Sequence, residues 1–448
     1  MNTISRDVVV IGAGASGLTV AHELTKAGRS VAVLEARDRV GGRLWTRDVD
    51  GASLELGGQW VSPDQDALLG TLAELGLETY SRYRDGADIF VGRDGTRTEF
   101  TGADLPLPQT TLTEIESLTA AMDRLAADVG AEEPWANPRA AEYDSVSFAG
   151  WLETQTDDAD ARDVIAMFIG AAMLTKPPHT FSLLQAVMMA ASAGGFSNLV
   201  DADFILDKRV KGGLQQVPLR LADKLGDDVF LNSPALDVRT DDSRVTVSAG
   251  NVEVRAGHVV LAVPPNLIQR ITFSPPLPRR QMQLHQHISL GLVIKVHAVY
   301  DTPFWRDAGL SGTAFDPHGL VHESYDNTNF GDTRGTLVGF ISDERADGVL
   351  KLSPPERRER ILDALARVYG DAARRPAVYY ESDWAAEEWT RGAYAASFDL
   401  GGLARFGADM RAPAGRVYFS CSDIAGRGFQ HVDGAIRMGR ATAAALLN

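Results

Sequence analysis

The sequence of 448 residues contains only one cysteine, Cys421. This excludes an intramolecular disulfide and any zinc or iron–sulfur site built from cysteines. Basic residues are outnumbered, with 44 Lys and Arg against 60 Asp and Glu, and no Lys/Arg run forms a patch for nucleic-acid phosphates. No apolar run approaches the ~20 residues that a membrane span needs. We therefore expect a cytoplasmic protein without a nucleic-acid or membrane partner.

The composition is that of a globular protein, with 44% hydrophobic and 23% charged residues. At about 150 residues per domain, the length predicts two or three domains. The first 35 residues have a β-α-β pattern. Residues 8–11 and 30–34 are apolar runs typical of buried parallel strands, and residues 15–27 carry helical apolar spacing between them.

A glycine fingerprint lies between the first strand and this helix. Gly12 permits a tight turn, Gly14 lets a pyrophosphate approach the backbone, and Gly17 lets the helix pack on the strand. The helix N-terminus, with Ala15 and Ser16, offers free amides to phosphates. Glu35 ends the second strand at the offset where a carboxylate binds ribose hydroxyls, which disfavours NADP. The pattern predicts a dinucleotide site.

The segments after this unit favour FAD over NAD. Residues 35–43 and 55–60 resemble two motif blocks of the glutathione-reductase-like FAD superfamily, in which glycine pairs let the backbone pass close to the flavin. From these blocks we expect cofactor contacts at Ala36, Arg37, Gly42, Arg43, Gly58, Gln59 and Trp60.

With these and later blocks, the chain resembles the flavin-dependent monoamine oxidase family from end to end, and within it the bacterial cyclohexylamine oxidases. The later blocks are residues 208–217, 232–235, 292–300, 421–423 and 432–435. The resemblance implies an α/β fold: a glutathione-reductase-like FAD-binding Rossmann domain with a discontinuous α+β substrate domain. We expect the FAD domain at 1–80, 205–285 and 385–448, and the substrate domain at 81–204 and 286–384.

The resemblance also implies residue roles. Lys295 would face the flavin through a water and assist oxygen reduction, and Tyr394 would form one wall of an aromatic cage. Phe429 is predicted as the second wall, with His431 as the alternative. Asp423 would hold the ribityl chain, Ala235 would meet the adenine, Val432 would give an amide to the flavin pyrimidine, and Trp384 is a further cofactor contact.

Two departures from the animal enzymes are informative. Ala393 stands where those enzymes have the cysteine bound to flavin, so we expect FAD to be non-covalent. The resemblance places the last helix of the FAD domain near residues 441–448, and we expect no membrane anchor of the kind found in the mitochondrial enzymes.

The resemblance implies oxidation of a primary amine with O2, giving an imine, then a ketone and ammonia, and H2O2. An alicyclic amine such as cyclohexylamine is the predicted substrate, with apolar pocket residues Leu174, Leu199, Tyr325 and Phe340. The alternatives are a putrescine, polyamine or aryl-alkyl amine oxidase, and a non-catalytic binding protein like the GDP-dissociation inhibitors. No metal site is expected, and a homodimer is left open.

Overall fold

The computed structural model describes residues 2–448, which form 22 strands and 16 α-helices. Numbered along the chain, the strands are β1 (Asn2–Ile11), β2 (Val31–Leu34), β3 (Thr46–Val49), β4 (Ala52–Glu55), β5 (Trp60–Val61), β6 (Thr79–Ser81), β7 (Ala87–Val91), β8 (Arg97–Phe100), β9 (Lys208–Val210), β10 (Val229–Phe230), β11 (Ala235–Thr240), β12 (Val245–Ala249), β13 (Val252–Leu261), β14 (Thr272–Ser274), β15 (Ile288–Leu290), β16 (Val293–Tyr300), β17 (Leu310–Phe315), β18 (Glu323–Asp326), β19 (Gly335–Ser342), β20 (Val378–Asp383), β21 (Ala396–Phe398) and β22 (Val417–Phe419).

The helices connect and cover these strands. They are α1 (Ala15–Lys26), α2 (Asp66–Glu74), α3 (Gln109–Val129), α4 (Ala140–Asp144), α5 (Phe148–Gln155), α6 (Ala159–Ala166), α7 (Leu183–Ser192), α8 (Phe196–Val200), α9 (Ala202–Ile205), α10 (Gln216–Leu225), α11 (Arg279–Leu284), α12 (Phe304–Asp307), α13 (Asp343–Leu350), α14 (Pro354–Tyr369), α15 (Gly402–Phe406) and α16 (Val432–Leu447). A π-helix, Met167–Leu174, continues α6.

The first large sheet has the strand order β10-β2-β1-β13-β12-β11-β14, with β22 paired to β13. The centre of this sheet is parallel, because β1 runs parallel to both of its neighbours, β2 and β13. Side chains alternate across β1: Val8 and Val10 pack with α1, α10 and α16, whereas Val9 and Ile11 pack on the opposite face. This is a Rossmann-like sheet, as predicted.

The second large sheet has the order β20-β16-β19-β18-β17-β7-β8. Its central strands β16, β18 and β19 are buried at every position, which requires cover on both faces. Helix α14 covers one face through Ile361 and Leu365, and the other face lines the cavity described below.

The two sheets draw on different parts of the chain. The Rossmann-like sheet takes its strands from residues 2–34, 229–274 and 417–419, and the second sheet takes its strands from residues 87–100 and 293–383. We propose that they mark the FAD and substrate domains at the boundaries predicted above.

Candidate active site

One continuous cavity runs from the carboxyl end of the Rossmann-like sheet to the face of the second sheet opposite α14. At its first end lies the N-terminus of α1, where Gly14 is the N-cap and no side chain caps the helix. A Cβ added to Gly14 would meet nothing within 4 Å, so the α1 amides face open space. Such an uncapped helix N-terminus binds phosphates.

The other two fingerprint glycines, Gly12 and Gly17, are required by backbone conformation and close packing. Gly12 has φ +107°, and a Cβ there would lie 2.5 Å from the carbonyl oxygen of Ala262. At Gly17 a Cβ would lie 2.1 Å from the oxygen of Gly12, so this glycine packs α1 on β1 and does not line the cavity, whereas Gly12, Ala15 and Ser16 do.

Glu35 follows β2 and is buried at the cavity wall. Its carboxylate accepts hydrogen bonds from the amides of Ala13, at 2.8 Å, and Arg37, at 2.9 Å. Ala36 and Arg37 line the cavity beside it, and Ala235 begins the neighbouring wall. The carboxylate is therefore positioned to accept hydrogen bonds from the ribose hydroxyls of a nucleotide bound at α1.

A second helix N-terminus reaches the middle of the cavity. Helix α16 begins at Val432 without a side-chain cap, and both Val432 and His431 line the cavity. The cavity is also lined by Gly42, Gly58, Gln59, Trp60 and Trp384. The indole of Trp384 donates to the carbonyl oxygen of Leu56 at 2.9 Å, which holds the Trp384 side chain in place.

Asp423 differs from its prediction. Its carboxylate accepts hydrogen bonds from the guanidinium of Arg43 and from the amide of Ala396, and it does not line the cavity. Each oxygen already accepts a hydrogen bond within the protein, so Asp423 orients Arg43. Cys421 and Ser422 take its place on the wall, beside Arg43.

These features fit FAD. The α1 amides suit a pyrophosphate, Glu35 suits a ribose, and the α16 N-terminus suits an electron-rich pyrimidine edge. All of them line the same cavity.

Lys295 stands at the far end, on β16. Its Nζ donates to the carbonyl oxygens of Glu55, at 2.7 Å, and Gly57, at 2.8 Å, and to Oε1 of Gln59. Burial lowers the pKa of Lys295 to about 7, with the Glu55 carboxylate opposing this shift and Arg209 adding to it. Lys295 lines the cavity, and its flavin-facing role stays a prediction.

Aromatic rings surround this end. The Trp60 ring lies 5.7 Å from that of Tyr325 and 5.9 Å from that of Phe340, and the rings of Phe340 and Tyr394 are 6.2 Å apart. Burial, and then the charge of Glu323, raise the pKa of Tyr394 well above its usual range, so its hydroxyl stays neutral. Leu199 joins this lining.

Two predicted pocket residues lie elsewhere. Phe429 is 1% exposed within the hydrophobic core, and the cavity is lined instead by its neighbours Gln430 and His431. Gln430 has φ +63°, a left-handed backbone that turns its side chain toward the cavity. Leu174 is also in the core, whereas Phe168, Ala172 and Met173 of the same π-helix form the wall.

Glu323 was missed by the sequence analysis. It is 6% exposed and lines the aromatic end of the cavity, where the Tyr325 hydroxyl donates to its Oε2 at 2.9 Å. Within the described chain, only Glu35 and Glu323 bring carboxylates to the cavity lining, and Glu35 is at the nucleotide end. A signal was present, because Glu323 lies two positions before Tyr325 and alternate residues of a strand share a face.

Other groups lie away from this cavity. Asp160, Asp163 and His318 come within metal-ligand distance of one another, but Arg93 pairs with both carboxylates, at 2.8 and 2.6 Å. Over residues 2–448, no helix is both long enough and apolar enough to cross a bilayer.

Comparison with known proteins decides the family. Residues 15–447 match the model of the flavin containing amine oxidoreductases. The chain belongs to this family. Putrescine oxidase from Kocuria rosea is 58% identical over 456 residues, which cover 99% of this chain and 95% of that protein. As a flavin-containing amine oxidase, the protein uses FAD and acts on amines with O2.

Solved structures agree with the fold. Wild-type putrescine oxidase bound to putrescine is 62% identical, with a TM-score of 0.98 and 99% of each chain covered. Cyclohexylamine oxidase from Brevibacterium oxydans is 33% identical, with a TM-score of 0.94 and 98% of each chain covered. The predicted family, α/β fold and likeness to cyclohexylamine oxidase are therefore confirmed.

Proposed function

We propose that this amine oxidase oxidises short aliphatic diamines of the putrescine class. The proposal rests on the buried Glu323 carboxylate at the aromatic end of the cavity. A buried carboxylate needs a cationic or hydrogen-bonding partner, and Tyr325 supplies a single hydrogen bond. The imidazole Nε2 of His322 lies 3.6 Å from the other carboxylate oxygen, Oε1, which is beyond hydrogen-bond distance. A second ammonium group on the substrate would supply a charged hydrogen-bond partner for this carboxylate.

The strand register of the second sheet sets the distance between Lys295 and Glu323. Phe340 on β19 pairs with Lys295 on β16 and with Glu323 on β18, so the three side chains point to one face in a row. Two strand spacings separate Lys295 from Glu323 by about 10 Å between Cα atoms. A short diamine can therefore extend from the flavin end to the carboxylate.

The reactive nitrogen would lie between Tyr394 and Gln430. The Gln430 amide donates from Nε2 to the Met173 sulfur at 3.5 Å, and its Oε1 has no protein partner in the described chain. This oxygen can accept a hydrogen bond from the substrate nitrogen. The Tyr394 ring and the apolar π-helix exclude water from the opposite side.

Loss of water also sets the protonation state of the substrate. A free alkylamine resembles lysine, whose pKa is about 10.4, and is mostly protonated at neutral pH. The aromatic end disfavours the ammonium form of the reactive nitrogen, whereas Glu323 favours it at the distal nitrogen. The two ends of a diamine are thus held in different charge states.

Bound FAD would supply a two-electron acceptor for the hydride of the Cα–H bond. The amine nitrogen would lose a proton as the imine forms, O2 would take up the two electrons with both hydrogens to give H2O2, and water would convert the imine to an aldehyde and ammonia. The residues of this chain supply the orientation: Glu323 fixes the distal nitrogen, Tyr394 and Gln430 flank the reactive one, and Lys295 provides a cation beside the site of oxygen reduction. Ala393 has no nucleophilic atom for a bond to FAD, which supports non-covalent binding.

The relatives support this choice over the predicted cyclohexylamine. Putrescine oxidases are 58% and 62% identical to this chain, against 33% for cyclohexylamine oxidase. Cyclohexylamine has no second nitrogen, so it would leave Glu323 without a cationic partner. Putrescine, which the sequence analysis held as an alternative, therefore replaces it as the proposed substrate.

An amine panel with peroxide detection tests the proposal. Putrescine should give the highest kcat/KM, and 1-aminobutane, which has the same carbon chain without the second nitrogen, is the matched control. Cyclohexylamine, benzylamine and tyramine complete the panel. Equal turnover of putrescine and 1-aminobutane would reject the proposed diamine specificity.

A further inference from the structure

The ammonium group of Lys295 is held by three oxygens, of which one is a side chain. The carbonyl of Glu55 belongs to the last residue of β4 and that of Gly57 to the backbone just after it, so the fold fixes the position of both. The third acceptor is Oε1 of Gln59. A glutamine side chain can present either its oxygen or its NH2 group, and only the oxygen can accept from Lys295.

Asn327 contacts both polar atoms of the Gln59 side chain. Nε2 of Gln59 donates to Oδ1 of Asn327 at 2.6 Å, and Nδ2 of Asn327 donates to Oε1 of Gln59 at 3.4 Å, which supports the orientation with Oε1 toward Lys295. Asn327 is itself held by its backbone, whose NH donates to the carbonyl oxygen of Thr336 at 2.7 Å and whose carbonyl oxygen accepts from Arg209 at 2.7 Å. Gln59 and Asn327 are 1% and 2% exposed.

We propose that Gln59 and Asn327 form an amide clamp that positions the Lys295 ammonium and keeps it protonated for oxygen reduction. The inference rests on the proposed role of Lys295 in the amine oxidase reaction. Neither clamp residue needs to touch the substrate, so both are positioning residues. A fixed cation lowers the free energy of negative charge that develops on O2 as it accepts electrons.

The surroundings of Lys295 make this support necessary. Burial works against its charge, and the Arg209 guanidinium adds to that effect, while the Glu55 carboxylate opposes it. His297, two positions along β16, contributes no charge, since burial and then Lys295 hold its pKa well below its usual range. The remaining close neighbours are the rings of Trp60 and Phe340, at 5.6 and 6.0 Å from Nζ. Across the cavity, burial keeps Tyr394 neutral, and Glu323 is two strands away.

The sharpest variant is Asn327→Asp. A carboxylate at this position still accepts from Gln59 and adds a negative charge close to Lys295, and the cations of Lys295 and Arg209 should keep it ionised. We expect Lys295 to retain its proton to higher pH by about one unit or more, because a nearby opposite charge favours the charged form. Gln59→Glu, which places the charge directly at Nζ, should shift the same transition in the same direction.

Two readouts detect the shift. In stopped-flow experiments, holoenzyme reduced anaerobically by putrescine is mixed with O2 across a pH series, and the pH at which reoxidation slows is measured. Without turnover, the visible spectrum of the oxidised holoenzyme is titrated over the same range, since a cation beside the flavin perturbs its absorbance. Both inflections should rise together in each clamp variant, and in Asn327→Asp, which lies outside the cavity lining, the rate of reduction by putrescine should change less than about twofold.

Asn251→Asp is the matched control, because it makes the same substitution at an exposed turn between β12 and β13. Its profiles should overlay those of the wild type. If Asn327→Asp does not retain FAD, Gln59→Glu provides the same two measurements. Profiles of a flavin-loaded clamp variant that overlay the wild type would overturn the inference. Failure of putrescine to reduce the wild-type flavin would instead reject the proposed substrate.

Discussion

Glu323→Gln removes the charge that we assign to diamine recognition and changes little else. The glutamine has nearly the same volume and can still accept the hydrogen bond of Tyr325. A distal ammonium bound at this buried site would lose its counter-ion while remaining desolvated. Removing one partner of such a pair costs ~2–5 kcal/mol, and we take ~3 kcal/mol because an acceptor remains.

At 1.4 kcal/mol per factor of ten, this loss lowers kcat/KM for putrescine by about a hundredfold. The assay is peroxide release under initial-rate conditions with putrescine and 1-aminobutane in parallel. 1-Aminobutane never forms the ion pair, so its kcat/KM should stay constant or rise as the pocket becomes neutral. An equal decrease in kcat/KM for the two amines would contradict ion pairing between Glu323 and the distal ammonium, since the substitution would then affect both substrates by disturbing the packing of the pocket.

Three further outcomes follow from the site. Tyr325→Phe leaves the Glu323 carboxylate without its hydroxyl donor, and KM for putrescine should rise by about tenfold with kcat nearly unchanged, because a hydrogen bond to a charged group is worth ~1.5–3 kcal/mol; an unchanged KM would contradict it. Lys295→Met should slow reoxidation by O2 about a hundredfold while reduction by putrescine is little affected, and equal slowing of both steps in stopped-flow traces would argue against its role. Acid precipitation should leave the yellow colour in the supernatant, since Ala393 cannot bond to FAD, and colour in the pellet would show a covalent link.

The nucleotide end of the cavity could be predicted from sequence because its chemistry is local. Gly12, Gly14 and Glu35 lie within 24 residues on one β-α-β unit, and the turn, helix N-terminus and strand end that they need follow from short-range rules. Even Gly17, which does not line the cavity, performs the packing role that its spacing predicts.

The amine end could not be predicted in the same way. Lys295, Phe340 and Glu323 meet through the register of three strands, and periodicity in one sequence does not reveal which residues pair across a sheet. The Phe429 prediction failed for a local reason. A left-handed backbone at Gln430 sends Phe429 into the core and Gln430 to the cavity, and a non-glycine residue gives no sequence signal for that conformation.

Asp423 illustrates a third kind of limit. Its block resembled that of the family, and the prediction was that it holds the ribityl chain. Its carboxylate is nevertheless used within the protein, on Arg43 and the Ala396 amide. A motif identifies where a residue lies, whereas only the set of neighbouring donors shows whether its oxygens remain free for a ligand.

Diamine recognition by Glu323 is best tested by a crystal structure of the holoenzyme with putrescine, prepared without oxygen. We expect one substrate nitrogen within about 3 Å of a Glu323 carboxylate oxygen and the other between Tyr394 and Gln430. A diamine whose distal nitrogen points away from Glu323, toward solvent or another residue, would contradict it.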